Sequence, residues 1–357
     1  MADKVDAIHD QATAGQEQRV TTLELFFDLV FVFTLTQLTA LLSESLSWGR
    51  LLQSFLIFII LFWMYGGYVW LTNSIPPTTP GRQLLLIAGM AAFLICALAI
   101  PKAFQESGLA FGVGYLIVII MHSSMYVRAV GWRVARFVPM NFLSAATIIA
   151  ASFVEGPSRY LLWLAAIAMH VFTSFLGAGL RFELRVSHFA ERHGLLLLVA
   201  LGESIIAIGV GSTNLDLRFI LAAVLGLILA AALWWIYFAR DDETGRDIML
   251  ARPNPAQLRQ ALGAYFYAFV PMLFGIILLA TGIHASIDDM TARLDPAQAL
   301  AFGGGVALYL IGTVIFRRAS GIPETNYRYV AAFLALLTGF LGSNLSAGFQ
   351  FIVLILI

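Results

Sequence analysis

The chain has 357 residues, of which 60% are hydrophobic and 12% charged, with a formal net charge of zero and a mean hydropathy of +0.86. A soluble domain is about a quarter charged, so this chain cannot solvate an ordinary protein surface, and its neutral balance offers no basic face for nucleic acid. Apolar runs of roughly 17–25 residues, the length of a bilayer-spanning helix, recur throughout and are too uniform for the alternating strands of a membrane β-barrel.

In chain order, residues 1–22 read as a polar tail. They lack the apolar core of a signal peptide, and the first apolar run that follows is too long for one and carries acids. Apolar runs then predict spans at about 23–42, 51–71, 84–100, 109–127, 138–154, 160–180, 194–211, 219–239, 261–283, 299–316 and 329–343. A last run, 346–357, has 12 residues, against about 20 needed to cross.

The first run opens "LELFFDLVFV" (23–32) and holds two acids. Glu24 and Asp28 are four residues apart, on one helix face, with Thr21 behind and Thr39 ahead. An ionised acid deep in a bilayer costs at least about 2.5–3.5 kcal/mol, and both acids sit near a helix N-terminus, where the dipole favours anions. A cap and ion pair, with Arg19 as partner, accounts for Glu24; Asp28 is equally readable as a functional carboxylate. Cys96, the single cysteine, sits in the third run and reads as a small core residue. His122, beside Ser123 and Ser124, and His170, in the sixth run, read as neutral imidazoles bonded across helices. Proton relay is the sharper alternative for His170. Asn141, Asn344 and Gln350 read as structural polar contacts.

Glu203, in "LLLLVALGESIIAIGVG" (195–211), has eight uncharged residues on either side and falls near the middle of its run. No lipid-facing position tolerates an acid there, so it faces protein, water or a bound species. Arg192 lies on the same stripe eleven residues back, about 16 Å away, too far for a direct pair. The aromatic clusters at Trp63–Trp70 and Trp234–Tyr237 read as packing and interface anchors. The segment "DDETGRD" (241–247) reads as a solvated loop with alternating charge. No HExxH, CxxC, P-loop or GxSxG with an evident triad is visible.

Sixteen of the 21 Lys and Arg residues fall in the N-terminal tail and in every second loop after it. That skew places the N-terminus in the cytoplasm. The fourth run opens "LAFGVGYLIV" (109–118) and the tenth "LAFGGGVALY" (300–309); they close on "YVRA" (126–129) and "FRRA" (316–319). "FWMYGGY" (62–68) and "LWWIYFA" (233–239) pair the second and eighth runs, again six helices apart. The expected fold is therefore an all-α polytopic membrane protein of about twelve transmembrane helices in two parallel six-helix repeats. The parts are a tail at 1–22, a first half at 23–181 and a second half at 182–357.

"ELFFDLVFVF" (24–33) preceded by Arg19, "HFAERHGLLLLVALGESIIAIG" (188–209) and "WWIYF" (234–238) resemble the hallmark segments of the low temperature requirement protein A family of bacterial membrane proteins. The resemblance carries over Glu24, Asp28, Glu191, Arg192, Gly194, Gly202 and Glu203. It implies a bacterial inner-membrane protein linked to growth in the cold, with a poorly defined activity. "FFDLVFVFTLTQL" (26–38) is also similar to the Phe-Ser-Asp signature opening each six-helix repeat of the endolysosomal and prokaryotic potassium/proton channels. Phe27 stands where that family has Ser, so this likeness concerns architecture and does not fix function.

The function expected from these residues is movement of an ion or small solute by a transporter or channel, with proton coupling through the intramembrane carboxylates as one form. Asp28 and Glu203 are the candidate ion- or proton-binding groups of the two halves, with Glu24 beside them and His170 as a secondary relay. Arg19, Glu191 and Arg192 are expected to join Glu24 in a cytoplasmic charge network. No cofactor or metal is expected. The partner is the lipid bilayer, the transported species is open, and a homodimer is one open arrangement. The rival reading is a sensor or assembly protein of the cold response. A third is a membrane enzyme holding metal at Asp241 and Asp242. Transport calls for a polar cavity reaching Glu203, whereas a scaffold calls for a dry Glu203 bonded to its neighbours.

Overall fold

A computed structural model describes residues 20–130, 138–177, 184–210, 216–287, 289–323 and 326–357, and among them there is no strand. The first six helices are α1 (Thr22–Glu44), α2 (Trp48–Ser74), α3 (Pro80–Ala99), α4 (Gly108–Val130), α5 (Val138–Ala151) and α6 (Pro157–Gly177). There follow α7 (Val186–Val210), α8 (Leu217–Phe238), α9 (Asp241–Leu250), α10 (Asn254–Gln260), α11 (Phe269–Ile287), α12 (Pro296–Ser320), α13 (Tyr327–Asn344) and α14 (Ala347–Leu356). Within the described residues, each apolar run expected from hydropathy overlaps one of these helices.

Eight helices among the described residues are long and apolar enough to cross a membrane, against about twelve expected. The α5 and α14 helices are apolar but only 14 and 10 residues long. The α13 helix opens on Tyr-Arg-Tyr, which dilutes its hydropathy. A second difference concerns the connection after α8, in which 241–247 is expected as a solvated loop. It folds as α9 and α10 and passes through a π-helical turn, Ala261–Tyr267, into α11. Three acids in the first turn of α9 suit a helix N-terminus. Proline in the first turn of α10 costs no hydrogen bond there.

Local chemistry sets the helix ends. Thr21 and Glu24 form a reciprocal capping box at the start of α1. The carbonyls ending α2 receive Arg185: its Nη2 donates to Thr72 O at 2.8 Å and its Nε to Asn73 O. Gly321 ends α12 at φ +75°, a left-handed backbone that a side chain would strain.

Packing neighbours recur along the chain. α1 packs on α2 and α3, α3 on α4, α4 on α5 and α5 on α6, while α2 also meets α4 and α6. α7 packs on α8 and α11, α11 on α12, α12 on α13 and α13 on α14, while α8 also meets α12 and α14. Glycines allow the closest approaches. A methyl at Gly112 would sit 2.9 Å from Ile149 of α5, and one at Gly114 3.0 Å from Cys96 of α3. A methyl at Gly303 would sit 2.3 Å from Ala335 O of α13, and one at Gly305 2.6 Å from Leu279 N of α11. Between these two groups of helices, α1 packs on α7 and α11. An open apolar hollow of about 450 Å³ lies between α4 and α5, lined by Leu116, Pro139, Phe142, Leu143, Ala146 and Ile149. It includes none of the polar residues singled out by the sequence.

Candidate functional site

The first turns of α1 and α7 lie side by side and point the same way. Glu24 bonds His188, Asp28 bonds Arg192 and Thr36 bonds Glu203, each a residue of α1 with one of α7. Two parallel helices in register thus bring the acids of the first apolar run against the basic residues of the seventh.

Arg192, with no exposed surface, is the centre of this cluster. Its Nη2 and Nε donate to Asp28 Oδ1 at 2.9 and 3.1 Å, and Nε also approaches Asp28 Oδ2 at 3.3 Å. Its Nη1 reaches Glu24 Oε1 at 3.4 Å and the hydroxyl of Thr72. The guanidinium carbon lies 5.6 and 5.9 Å from the ring centres of Phe27 and Tyr65, a cation–π contact with two stacked rings. Tyr65 donates its hydroxyl to Asp28 Oδ1 at 2.9 Å. Buried charges survive only when paired and fully bonded, and this one meets that condition.

His188 extends the cluster. Asn73 accepts from Arg185 N at 3.0 Å through Oδ1, which turns its Nδ2 toward His188 Nδ1 at 3.2 Å. With Nδ1 accepting, Nε2 carries the proton and donates to Glu24 Oε2 at 3.2 Å. Glu24 Oε2 also accepts from the Thr21 backbone and hydroxyl.

Glu203 lies further along the same helix pair. It is 2% exposed and accepts from Thr36 Oγ1 at 2.6 Å. Asp28 and Glu203 therefore border the same α1–α7 contact at two levels and share no hydrogen-bond partner. Glu191 is exposed, and one of its oxygens is 3.4 Å from the backbone nitrogen of Val20. It does not join Arg192. Arg19 lies outside the described residues. His170 is elsewhere: buried in the first six helices, it bonds Tyr115 and Ser144, the latter at 3.0 Å, and stacks on Trp63.

The acids at 241–247 divide. Asp241 is buried between two arginines, with Arg317 Nη1 at 2.6 Å on one oxygen and Arg328 Nη1 at 2.7 Å on the other. Asp242 accepts from Tyr237 at 3.3 Å. No group of three or more His, Cys, Asp or Glu gathers as a metal site among the described residues.

Sequence reasoning missed Tyr65, Thr72, Asn73, His188 and Thr36. A signal for His188 was present. His188 and Arg192 repeat the four-residue spacing of Glu24 and Asp28, so two acids on one helix face answer two basic groups on another. Tyr65, Thr72 and Asn73 carry no charge, and nothing separates them from other polar residues in apolar runs.

These features define a class: a helical membrane protein with several apolar helices and a buried charge cluster between two of them. The chain matches the family described as Bacterial low temperature requirement A protein (LtrA) over residues 19–357, and it belongs to that family. An uncharacterized protein of Rhizobium meliloti (strain 1021) is 30% identical to it over 318 residues, covering 83% of this chain and 76% of that protein. No solved structure matches it.

Proposed function

We propose that this LtrA family protein moves an ion or small solute across the bacterial inner membrane, as a transporter or channel, along the contact between α1 and α7. One observation carries the reading. Glu203 is an almost fully buried carboxylate, far from either end of an apolar helix, with Thr36 as its bonded partner. A chain that needed only to pack would place Leu there, and an intramembrane acid marks a pathway by default. Proton coupling through Glu203 is one form of this function. Asp28 and Glu24, tied to Arg192 and His188, hold the N-terminal ends of α1 and α7 together in a conformation closed at Glu203.

The proposal includes about twelve membrane helices in two parallel halves, 23–181 and 182–357, after a tail at 1–22. The recurring neighbours support it: α1 to α6 pair as α7, α8, α11, α12, α13 and α14 do, with α9 and α10 inserted. So do the paired glycines, since Gly112 and Gly303 face the fifth helix of each set, and Gly114 and Gly305 the third. The charge skew favours a cytoplasmic N-terminus.

Flux in proteoliposomes tests the function. Internal pH and K⁺ or Na⁺ are followed for wild type and Glu203→Gln, which keeps shape and removes charge. The expected result is a flux that Glu203→Gln abolishes while the variant remains folded. No flux under any gradient, with Glu203→Gln merely lowering Tm, would sink the reading. The alternative is then a non-transporting sensor or assembly protein, which the burial of Glu203 against its bonded partner Thr36 favours, as does the pairing of Arg192.

A further inference from the structure

We propose that Glu203, Thr36, Thr39 and Ser54 form a binding site for a monovalent alkali cation, held by one carboxylate and by hydroxyl oxygens. This deepens, and rests on, the assignment of Glu203 as the ion-handling group.

The argument starts from the meeting of Asp28, Tyr65 and Arg192, which brings one face each of α1, α2 and α7 to a common point. Eleven residues make about three helical turns, so the same faces return eleven residues along each helix. On α1 that step leads from Asp28 to Thr39, and on α7 from Arg192 to Glu203. The α2 helix runs the opposite way, because Asp28 meets Tyr65 while Phe31 meets Phe62. Its step therefore leads from Tyr65 back to Ser54. Where the first level joins an acid, a base and a phenol, the second joins a carboxylate and hydroxyls. The Thr36 bond to Glu203 shows that the helices remain in contact at this level.

The hydroxyls at this level are unsatisfied. Thr39 and Ser54 are buried, at 5% and 0% exposure, and neither hydroxyl oxygen has a hydrogen-bond partner among the described residues. A buried polar group without a partner is costly and calls for a bound species to explain it. Charge identifies the species. No Lys, Arg or His lies at 31–43, 51–61 or 196–207, and α11, which packs on both α1 and α7, has no charged residue across Phe269–Ile287 apart from His284 near its end. Among the described residues at this level one carboxylate thus stands without a cation, and a single positive charge balances it. A divalent ion would leave an excess charge in an apolar layer. A proton on Glu203 would balance the charge but leave the Thr39 and Ser54 hydroxyls orphaned. An alkali cation takes oxygen ligands from both, since hard cations are held by carboxylate and neutral oxygens.

The test uses the full-length protein in detergent and reads Tm against increasing NaCl or KCl, with choline chloride holding ionic strength constant. A ligand that binds only the folded state raises Tm with concentration. The expected result is a rise with Na⁺ or K⁺ over choline that Glu203→Gln abolishes. Ser54→Ala and Thr39→Val, which keep the charge, should weaken the apparent affinity about tenfold. They carry the test if Glu203→Gln does not fold. Identical Tm in all three salts overturns the site, as does a cation effect that survives Glu203→Gln, Ser54→Ala and Thr39→Val. Flux is a separate readout: proton flux without a cation effect on Tm removes this site and leaves transport standing. A cation effect without flux does the reverse.

Discussion

Arg192 is the residue on which the α1–α7 contact depends. Its guanidinium satisfies Asp28, Glu24 and Thr72 together, and no water reaches it. Arg192→Met should therefore lower stability by about 3–5 kcal/mol, because two buried carboxylates lose their cation. Asp28→Leu combined with Arg192→Met should recover part of that loss, since it removes one of the two orphaned carboxylates and leaves Glu24 with its bonds to His188 and Thr21. Chemical unfolding of the single and double variants in detergent measures both. A double variant as unstable as the single would mean that Glu24 and Thr72, and not Asp28, need the arginine. Lysine is a poor replacement here, because an ammonium cannot present the planar fork that grips Asp28 while reaching Glu24.

Among the helices, α11 and α12 pack backbone to backbone. A methyl on Gly275 would lie 2.6 Å from Gly305 O, and one on Gly312 2.3 Å from the Met272 side chain. Backbones in such contact attract by dispersion where lipid supplies no hydrophobic driving force. Gly305→Val should cost at least about 1–3 kcal/mol through overpacking, read as a lower Tm in detergent. The control is Gly81→Ala, in the first turn of α3, where an added methyl meets nothing within 4 Å. It should be neutral or raise stability by up to about 1 kcal/mol through helix propensity. Equal losses in the two variants would show that the α11–α12 crossing has no special need for glycine.

The two sets of helices meet along α1 and α2 on one side and α7 and α11 on the other, and the Arg192 cluster and the Thr36–Glu203 bond both lie in that contact. The orientation of the whole assembly can be read by labelling. In a Cys96→Ala background, which removes a fully buried thiol, Ser45→Cys and Thr244→Cys place single thiols at exposed positions on opposite sides of the expected topology. An impermeant maleimide should label Ser45→Cys in intact cells and Thr244→Cys only after permeabilisation. The reverse pattern would invert the orientation drawn from the charge skew, and labelling of both in intact cells would break the span alternation.

Much of this architecture can be read from the linear chain. Apolar length marks the helices, because a backbone in lipid must bond to itself. The four-residue spacing of Glu24 and Asp28 puts them on one face, and the isolation of Glu203 forces it inward. What the chain cannot show is which faces meet. That Arg192 answers Asp28 and that Glu191 one residue earlier turns outward depend on the rotation and register of α7 against α1, and His170 lies apart because its helix, α6, packs on α5 and α2. The same holds at 241–247, where alternating charge suggests a solvated loop. Arg317 and Arg328 arrive on other helices and bury Asp241 between them. Local spacing is a property of one helix, whereas partnership arises only when packing fixes several helices together.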